Sequence, residues 1–323
     1  MILSRRAFAA GTLAAATSPA VARAETYPSR LIKVIVPISA GSTTDVIARQ
    51  VGDSLRQSLG QTVLVENKPG AGGTIGSAMV AKAPPDGYTL LVVSASHTAN
   101  PALYTSLPYD TLKDFRGVNR LVIIPLILVT SPANGIRTVA ELIARAKAKP
   151  GETTYGSGGV GSSAHMNAEQ FRAMAKIDGL HVPYRGTPEM LTDIMAGRID
   201  WAFVSTVSAL SAVKEGKLVV LACGAEQRSA LFPDVPTTVE AGIAGSAYNS
   251  FLGMFAPAGT PAEIVDTLNR ETTAALKNPE IVRKLAAMGA EAAPMTPAAF
   301  DAFIAKDIEN LATLVRIAKI PTN

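Results

Sequence analysis

Residues Tyr155 to His165 read Tyr-Gly-Ser-Gly-Gly-Val-Gly-Ser-Ser-Ala-His and join a short strand-like run to an amphipathic run, Asn167 to Ala175. Small residues with few φ restrictions, set just before a helix, let backbone N–H groups converge on one point, and the helix dipole makes that point favour an anion. A second unit of this kind lies about 115 residues upstream. There the buried-strand pattern Leu31 to Val36 breaks at Pro37 and enters Ser39 to Asp45, after which Ile47, Val51, Leu55 and Leu59 recur every four residues as one helix face. Two such units at that spacing suit a chain folded as two α/β lobes.

The remaining order of elements fits. Thr62 to Val65 reads as a strand, Thr74 to Ala83 as a helix stopped by Pro84 to Gly87, and Tyr88 to Val93 as a strand with a polar tip at Ser94 to Thr98. Strand, helix, strand, helix, strand is the pattern of a mostly parallel sheet flanked by helices. Phe115 to Thr130 is a long extended run broken by Pro125, the candidate first passage between lobes. Thr138 to Glu141 is a capping box, Pro150 and Gly151 end its helix, and the glycine loop follows Thr153 to Gly156. His181 to Tyr184 and Ile199 to Val204 read as strands separated by a helix, and Ser205 and Thr206 form the polar tip of the second. Leu218 to Ala222 reads as the last strand of this lobe and Asn249 to Ala256 as the return passage. Three helices close the chain, opening at Thr260, Asn278 and Thr296, with Thr260 to Glu263 read as a capping box. The expected lobes are therefore residues 25–124 with 249–323, and residues 125–248.

Residues Met1 to Ala24 have a charged start at Arg5 and Arg6, an apolar alanine-rich middle and a small-residue end, the layout of a secretory signal peptide cleaved after about Ala24. Ser4 to Phe8 also resembles a twin-arginine export signal. With the leader arginines set aside the net charge of +4 falls to +1, and no Lys/Arg run with interleaved aromatics points to nucleic acid. The single cysteine, Cys223, lies in an apolar run and is expected to be a buried strand residue. Beyond the leader the longest apolar stretch, Leu121 to Val129, is too short to span a bilayer.

Ligands of open α/β sheets gather at the carboxyl ends of the strands. That rule nominates Ser39, Ala40, Gly41, Ser42 and Thr43, Ser94 and Ser96, Ser157, Gly161, Ser162, Ser163 and His165, and Ser205 with Thr206. Gly156-x-Gly158-x-x-Gly161 also satisfies the dinucleotide fingerprint, but the next strand ends in Arg185-Gly186 where a ribose-binding acid is required. Ser162, His165 and Glu169 invite a hydrolase reading, yet His165 and Glu169 stand one turn apart on one helix and no nucleophile elbow precedes them. His165 reads as a helix-start residue facing either its own loop or the cleft, Asp45 as a dipole-stabilising residue, and Trp201 as core or as a ligand wall. His97 and His181 have no companions at metal spacing. No cofactor, metal site or catalytic residue is expected.

Seven landmarks in order resemble the substrate-binding proteins of tripartite tricarboxylate transporters, the Bug-type periplasmic receptors. They are Pro37 to Asp45 with Ile47 to Arg49; Glu66 to Gly72; Pro85 to Thr89; Tyr155 to Ser157 with Gly161 to His165; Val182 to Gly186; Pro233 to Thr237; and Ala256 to Pro261. The resemblance covers Tyr27 to Ile320. It implies a two-lobed, hinge-closing fold of the periplasmic-binding-protein type, and a monomeric, non-enzymatic receptor. Such a receptor captures a di- or tricarboxylate, an acidic amino acid or a related organic acid, and delivers it to integral-membrane permease subunits. Exported enzyme and sensor-only receptor are the rival readings of the same cleft. Two departures bear on the ligand: Ala40-Gly41-Ser42 replaces the usual Pro-Gly-Gly, and Glu189-Met190 replaces a Pro-Ala pair.

Overall fold

The computed structural model describes residues 27–184, 186–248, 250–320 and 322. The leader and its cleavage site lie outside the described residues. The first part of the chain runs β1 (Ile32–Val36), α1 (Thr43–Leu59), β2 (Val63–Asn67), α2 (Thr74–Ala81), β3 (Thr89–Ser94), α3 (Ser96–Leu103) and β4 (Phe115–Ile124). The middle runs β5 (Leu126–Thr130), α4 (Val139–Ala148), β6 (Thr154–Ser157), α5 (Ser163–Ala175), β7 (Leu180–Pro183), α6 (Thr187–Met195), β8 (Trp201–Ser205), α7 (Thr206–Lys214) and β9 (Val219–Cys223). The chain then returns through β10 (Ser250–Pro257) to α8 (Ala262–Lys277), α9 (Pro279–Ala287), β11 (Glu291–Ala292) and α10 (Pro297–Ala318).

These elements make two sheets, one per lobe, in the orders β11-β4-β10-β3-β1-β2 and β7-β6-β8-β5-β9. The parallel part is β2-β1-β3 in the first and β7-β6-β8 in the second, so the carboxyl ends of three strands share one edge in each. The strands that carry the chain between lobes pair antiparallel: β10 against β3 and β4, and β5 against β8 and β9. Pro125, which has no amide proton for a ladder, stands where β4 of the first sheet gives way to β5 of the second.

Local chemistry sets the ends of the helices that matter. Ser42 caps α1 by accepting from the Asp45 amide, and Gly60 closes it at φ 67°. Between those caps Ile47, Val51 and Leu55 are fully buried against β1 and its neighbours, each worth about 1.5–3 kcal/mol by removal from water. Thr138 and Glu141 form the expected capping box, with both reciprocal bonds present. The box expected at Thr260 does not form. There the helix begins one residue later, with Pro261 as the cap residue of α8, and the Thr260 hydroxyl instead donates to the Pro257 carbonyl at 2.7 Å. Helices α3 and α7 stand where the sequence reads only as polar strand tips. Ser205 caps α7 through its hydroxyl, a signal present in the sequence, whereas α3 has no side-chain cap and contains Pro101.

One apolar cluster belongs to both lobes. Ala99 and Leu103 of α3 and Leu311, Leu314 and Val315 of α10 pack with Met166 of α5 and with Tyr248. Close to it, the Arg172 guanidinium of α5 donates to the Ala318 carbonyl at the end of α10, at 3.1 Å. Among the described residues no helix is long and apolar enough to cross a membrane.

Candidate functional site

A cavity of about 380 Å³ opens between the lobes at the carboxyl ends of the parallel strands. The first lobe contributes the end of β1 with Ile38 and Ser39, Thr44 of α1, the turn at Pro69 to Gly73, the tip of β3 with Ser94 and Ser96, and Asn100, Leu103 and Tyr104 of the α3 region. The second contributes Gly158, Val160, Gly161, Ser162 and Ser163.

The two helix starts facing this cavity are built alike. Gly41 and Gly161 have φ of 79° and 78°, a backbone state that favours glycine. Ser42 and Ser162 follow in extended conformation and accept from the amides of Asp45 and His165. Then the residue four positions after each glycine turns back to accept that glycine's amide: Asp45 Oδ2 from Gly41 at 2.9 Å, and His165 Nδ1 from Gly161 at 3.2 Å. The sequence suggests that the loop amides themselves meet the ligand. In the structure the glycine amides are spent inside each loop, and the third helical amide goes to the serine cap. What remains without an intrahelical partner are the first two amides of each helix, Thr43 and Thr44 on α1 and Ser163 and Ala164 on α5.

The nominated residues separate into groups. Ser39, Ser94, Ser96, Gly161, Ser162 and Ser163 line the cavity. Ala40, Gly41, Ser42 and Thr43 make the loop and first turn behind it without lining it, and the Ser42 hydroxyl is occupied by the α1 cap. Ser157 is buried one layer back, 2.7 Å from His181 Nε2 and bonded also to Gly159. His165 lies beneath its own loop, in stacking contact with His181 at 4.1 Å between ring centroids. Ser205 and Thr206 do not line the cavity. Thr206 is fully buried against Gly289, where an added Cβ would come within 2.1 Å of Thr206 Oγ1, so this tip is covered by the opposite lobe.

Missing from the nominated residues were Pro37, Ile38 and Thr44, the turn after β2, Val93, Gly158 and Val160, and Asn100, Leu103 and Tyr104. The strand-end rule, applied to β2 as it was to β1 and β3, would have found the turn at 69–73. The α3 residues were hidden because Ser94 to Thr98 reads as a loop tip, and Pro101 obscures the helix.

Burial and pairing fix the charges nearby. Asp45 is buried, which alone would raise its pKa, but bonds from Arg49, the Gly41 amide and Asn67 together hold the carboxyl below its ordinary value. Burial, assisted by the positive charge of Arg172, pushes His165 down to about 3, so its ring is neutral and Nδ1 is free to accept. Glu169 joins Tyr155, through a short hydroxyl–carboxylate bond, to Arg172 at 2.7 Å. The Tyr155 phenol is driven up by burial and by that carboxylate. Ser162 and His165 share no side-chain bond, since the serine oxygen takes the His165 amide and the imidazole takes the Gly161 amide; this arrangement offers no nucleophile–base pair. Among the described residues no group of three or more His, Cys, Asp or Glu could hold a metal ion. Trp201 is buried core, stacked on Tyr155, and Cys223 is buried at the end of β9. Met190 is likewise core, packed close to Gly156.

Residues 47–319 match the model of the tripartite tricarboxylate transporter family receptor. The chain belongs to that family. As a family receptor it is a periplasmic solute-binding protein and not an enzyme. It is 37% identical over 306 residues to the protein BugT of Bordetella pertussis, covering 94% of each chain. Among solved structures, a Rhodopseudomonas palustris protein with adipate superposes on the receptor with a TM-score of 0.81 at 30% identity, covering 92% of this chain and 100% of that one. The periplasmic binding protein BugD gives 0.78 at 30% identity over the same shares. MatC from Rhodopseudomonas palustris with bound malate gives 0.76 at 31%, covering 90% of this chain and 100% of that one.

Proposed function

We propose that the receptor captures a small carboxylate between its lobes after export and delivers it to a tripartite-tricarboxylate-type membrane permease. The observation that carries this reading is the pair of like-built helix starts, one from each lobe, facing one cavity. Each keeps its first two amides without intrahelical partners, and each is the positive end of a helix of three or more turns. Ser39, Ser94, Ser96 and Ser163 add hydroxyl donors. Hydrogen bonds to a charged group contribute roughly 1.5–3 kcal/mol each, so three or four are enough for micromolar binding after ordering costs. Because the donors come from both lobes, a ligand reaches all of them only when the cleft is closed, and its binding energy favours that state. Two solved relatives hold adipate and malate, both carboxylates, which supports the class.

Isothermal titration calorimetry of the chain freed of its leader, against mono-, di- and tricarboxylates, tests the reading. One-to-one binding without product is expected. The absence of binding to every acid, or the appearance of a product, would refute it. The permease step is tested by uptake into cells: deleting the receptor should abolish transport of the acid that binds, and unchanged uptake would remove that half of the proposal.

A further inference from the structure

We propose that the receptor has a second small-molecule site, apart from the carboxylate cleft, that takes a protonated primary amine with an apolar body. A cavity of about 500 Å³ lies where α10 runs beside α5 and the chain approaches β10. Phe303, Asp307, Leu311 and Leu314 of α10 wall one side, a stripe at helical spacing that carries one acid. Met174 of α5 and Tyr248, just before β10, wall the other. The cavity shares no lining residue with the carboxylate cleft.

Two oxygen-bearing groups meet in this space without satisfying each other. Tyr248 is 8% exposed, yet among the described residues its hydroxyl has no hydrogen-bond partner. A buried hydroxyl left unpaired costs free energy until a ligand or water meets it. Asp307 is half-buried and bonds to the Thr98 hydroxyl, and among the described residues no cation pairs with it. Burial, together with the negative charge of Asp307, drives the Tyr248 phenol upward, so the two groups lie within electrostatic reach of each other while no hydrogen bond joins them. Burial also raises the Asp307 carboxyl, as expected of an acid with no counter-charge. An ammonium between them answers both groups, because it brings a positive charge and three donors to two acceptors.

Other cations in the neighbourhood are engaged. Lys306 pairs with Glu309 at 3.2 Å. The Arg120 guanidinium, over the Phe303 ring at 5.2 Å, donates to the Ala293 carbonyl and feels the charge of Glu226, which lines the same cavity. The rest of the wall suits a carbon skeleton. Leu311 and Leu314 are each 2% exposed at its buried side, Ile317 is 47% exposed at its rim, and the Phe303 ring stands one turn from Asp307. An alkyl or phenyl body would cover that surface, a gain that a bare metal ion cannot supply.

Phenethylammonium and hexylammonium, each with its alcohol as an uncharged twin, test the site by calorimetry on the chain freed of its leader. One-to-one binding of at least one amine is expected, about tenfold or more tighter than its alcohol. Asp307→Asn keeps an acceptor for Thr98 and removes the charge, and should weaken amine binding about tenfold or more; Tyr248→Phe removes only the hydroxyl and should weaken it about threefold or more. Asn310 is exposed on the cavity rim, one turn from Asp307. Asn310→Lys sets a competing ammonium there without altering a buried residue, and should weaken amine binding about fivefold or more. That variant decides alone if a buried one does not fold. No binding of either amine, equal binding of amine and alcohol, or amine affinity unchanged in any of the three variants would overturn the inference, and each would leave carboxylate capture untouched.

Discussion

The Ser250 hydroxyl donates to Oγ of Ser163 at 2.9 Å, joining the first residue of the returning strand β10 to the first residue of α5. Ser250 belongs to the sheet of one lobe and Ser163 to the cavity wall of the other, so the bond crosses between lobes at the base of the cleft. Because Ser163 accepts there, its own proton is left to donate, and the cavity is where it can find an acceptor. Ser250→Ala removes the partner that fixes this polarity. A loss of about 1 kcal/mol, or roughly fivefold in Kd, is expected by calorimetry, from the usual net worth of one such bond. Unchanged affinity would show that Ser163 is oriented without it.

Gly41 and Gly161 share a backbone conformation and differ in surroundings, so one substitution made at both positions separates strain from contact. At Gly41 an added Cβ meets nothing within 4 Å, and Gly41→Ala should cost only the left-handed backbone penalty of about 1–2 kcal/mol. At Gly161 the Cβ would come within 2.7 Å of Leu103 Cδ1, across the lobe boundary. Gly161→Ala should therefore show the same fall in thermal stability and, in addition, at least a tenfold loss of ligand affinity that Gly41→Ala does not show. Trimming the obstacle in Gly161→Ala with Leu103→Ala should return part of the affinity. Equal binding losses in the two single variants would argue against close approach of the lobes at this point.

How much of this was legible beforehand depends on range. The strands, the two serine-capped helix starts and the order of elements follow from periodicities and caps within a few residues, which is why β1, α1, β6 and α5 stand close to where pattern places them. The destination of the Gly161 amide could not be read in the same way. The sequence shows glycine, serine and histidine at suggestive spacing, but whether His165 faces outward to a ligand or back to its loop is decided by burial under His181 of β7, itself stacked on Tyr155 of β6. Nor could the fate of Thr206 be read. It has the composition of a strand tip in a cleft, and only the tertiary approach of Gly289, far along the chain, covers it. The match between Gly41-Ser42-x-x-Asp45 and Gly161-Ser162-x-x-His165 was present in the letters, but Asp and His are recognisable as equivalents only once both are seen accepting a glycine amide.

That equivalence gives a sharper test of electrostatics at the α5 start. His165→Asn keeps a short acceptor for the Gly161 amide without charge and should bind ligand within about fivefold of the native chain, since less than 1 kcal/mol is at stake if the loop bond survives. His165→Asp copies the arrangement at Asp45 and also keeps an acceptor, but sets a negative charge beside the proposed anion seat. Two like charges about 5–6 Å apart at an effective dielectric of 20 repel by roughly 3 kcal/mol, so a loss of about a hundredfold or more is expected. Affinity that falls equally in both variants would mean that the imidazole contributes through packing on His181 rather than by being neutral.

Buried histidines should also make the receptor sensitive to acid, His97 and His165 most strongly, with His181 shifted down by burial as well. Burial drives His97 to about 3, within a cage formed by Tyr109, Phe115 and Phe255, and His165 is brought to about 3 chiefly by burial as well. In the unfolded chain each titrates near 6.5, so between pH 6.5 and about 3 the unfolded state holds more protons than the folded one. Stability conferred by keeping these rings neutral is therefore complete above pH 6.5 and is lost as the pH falls through that window, at up to about 1.4 kcal/mol per pH unit for each ring. Urea unfolding at a series of pH values should show this slope. His97→Phe replaces one ring with a group that cannot titrate inside an aromatic cage and should reduce the slope by up to about 1.4 kcal/mol per pH unit, after allowance for its own effect on stability at pH 7. A slope identical to that of the native chain would mean that His97 gains its proton in the folded state at no greater cost than in water.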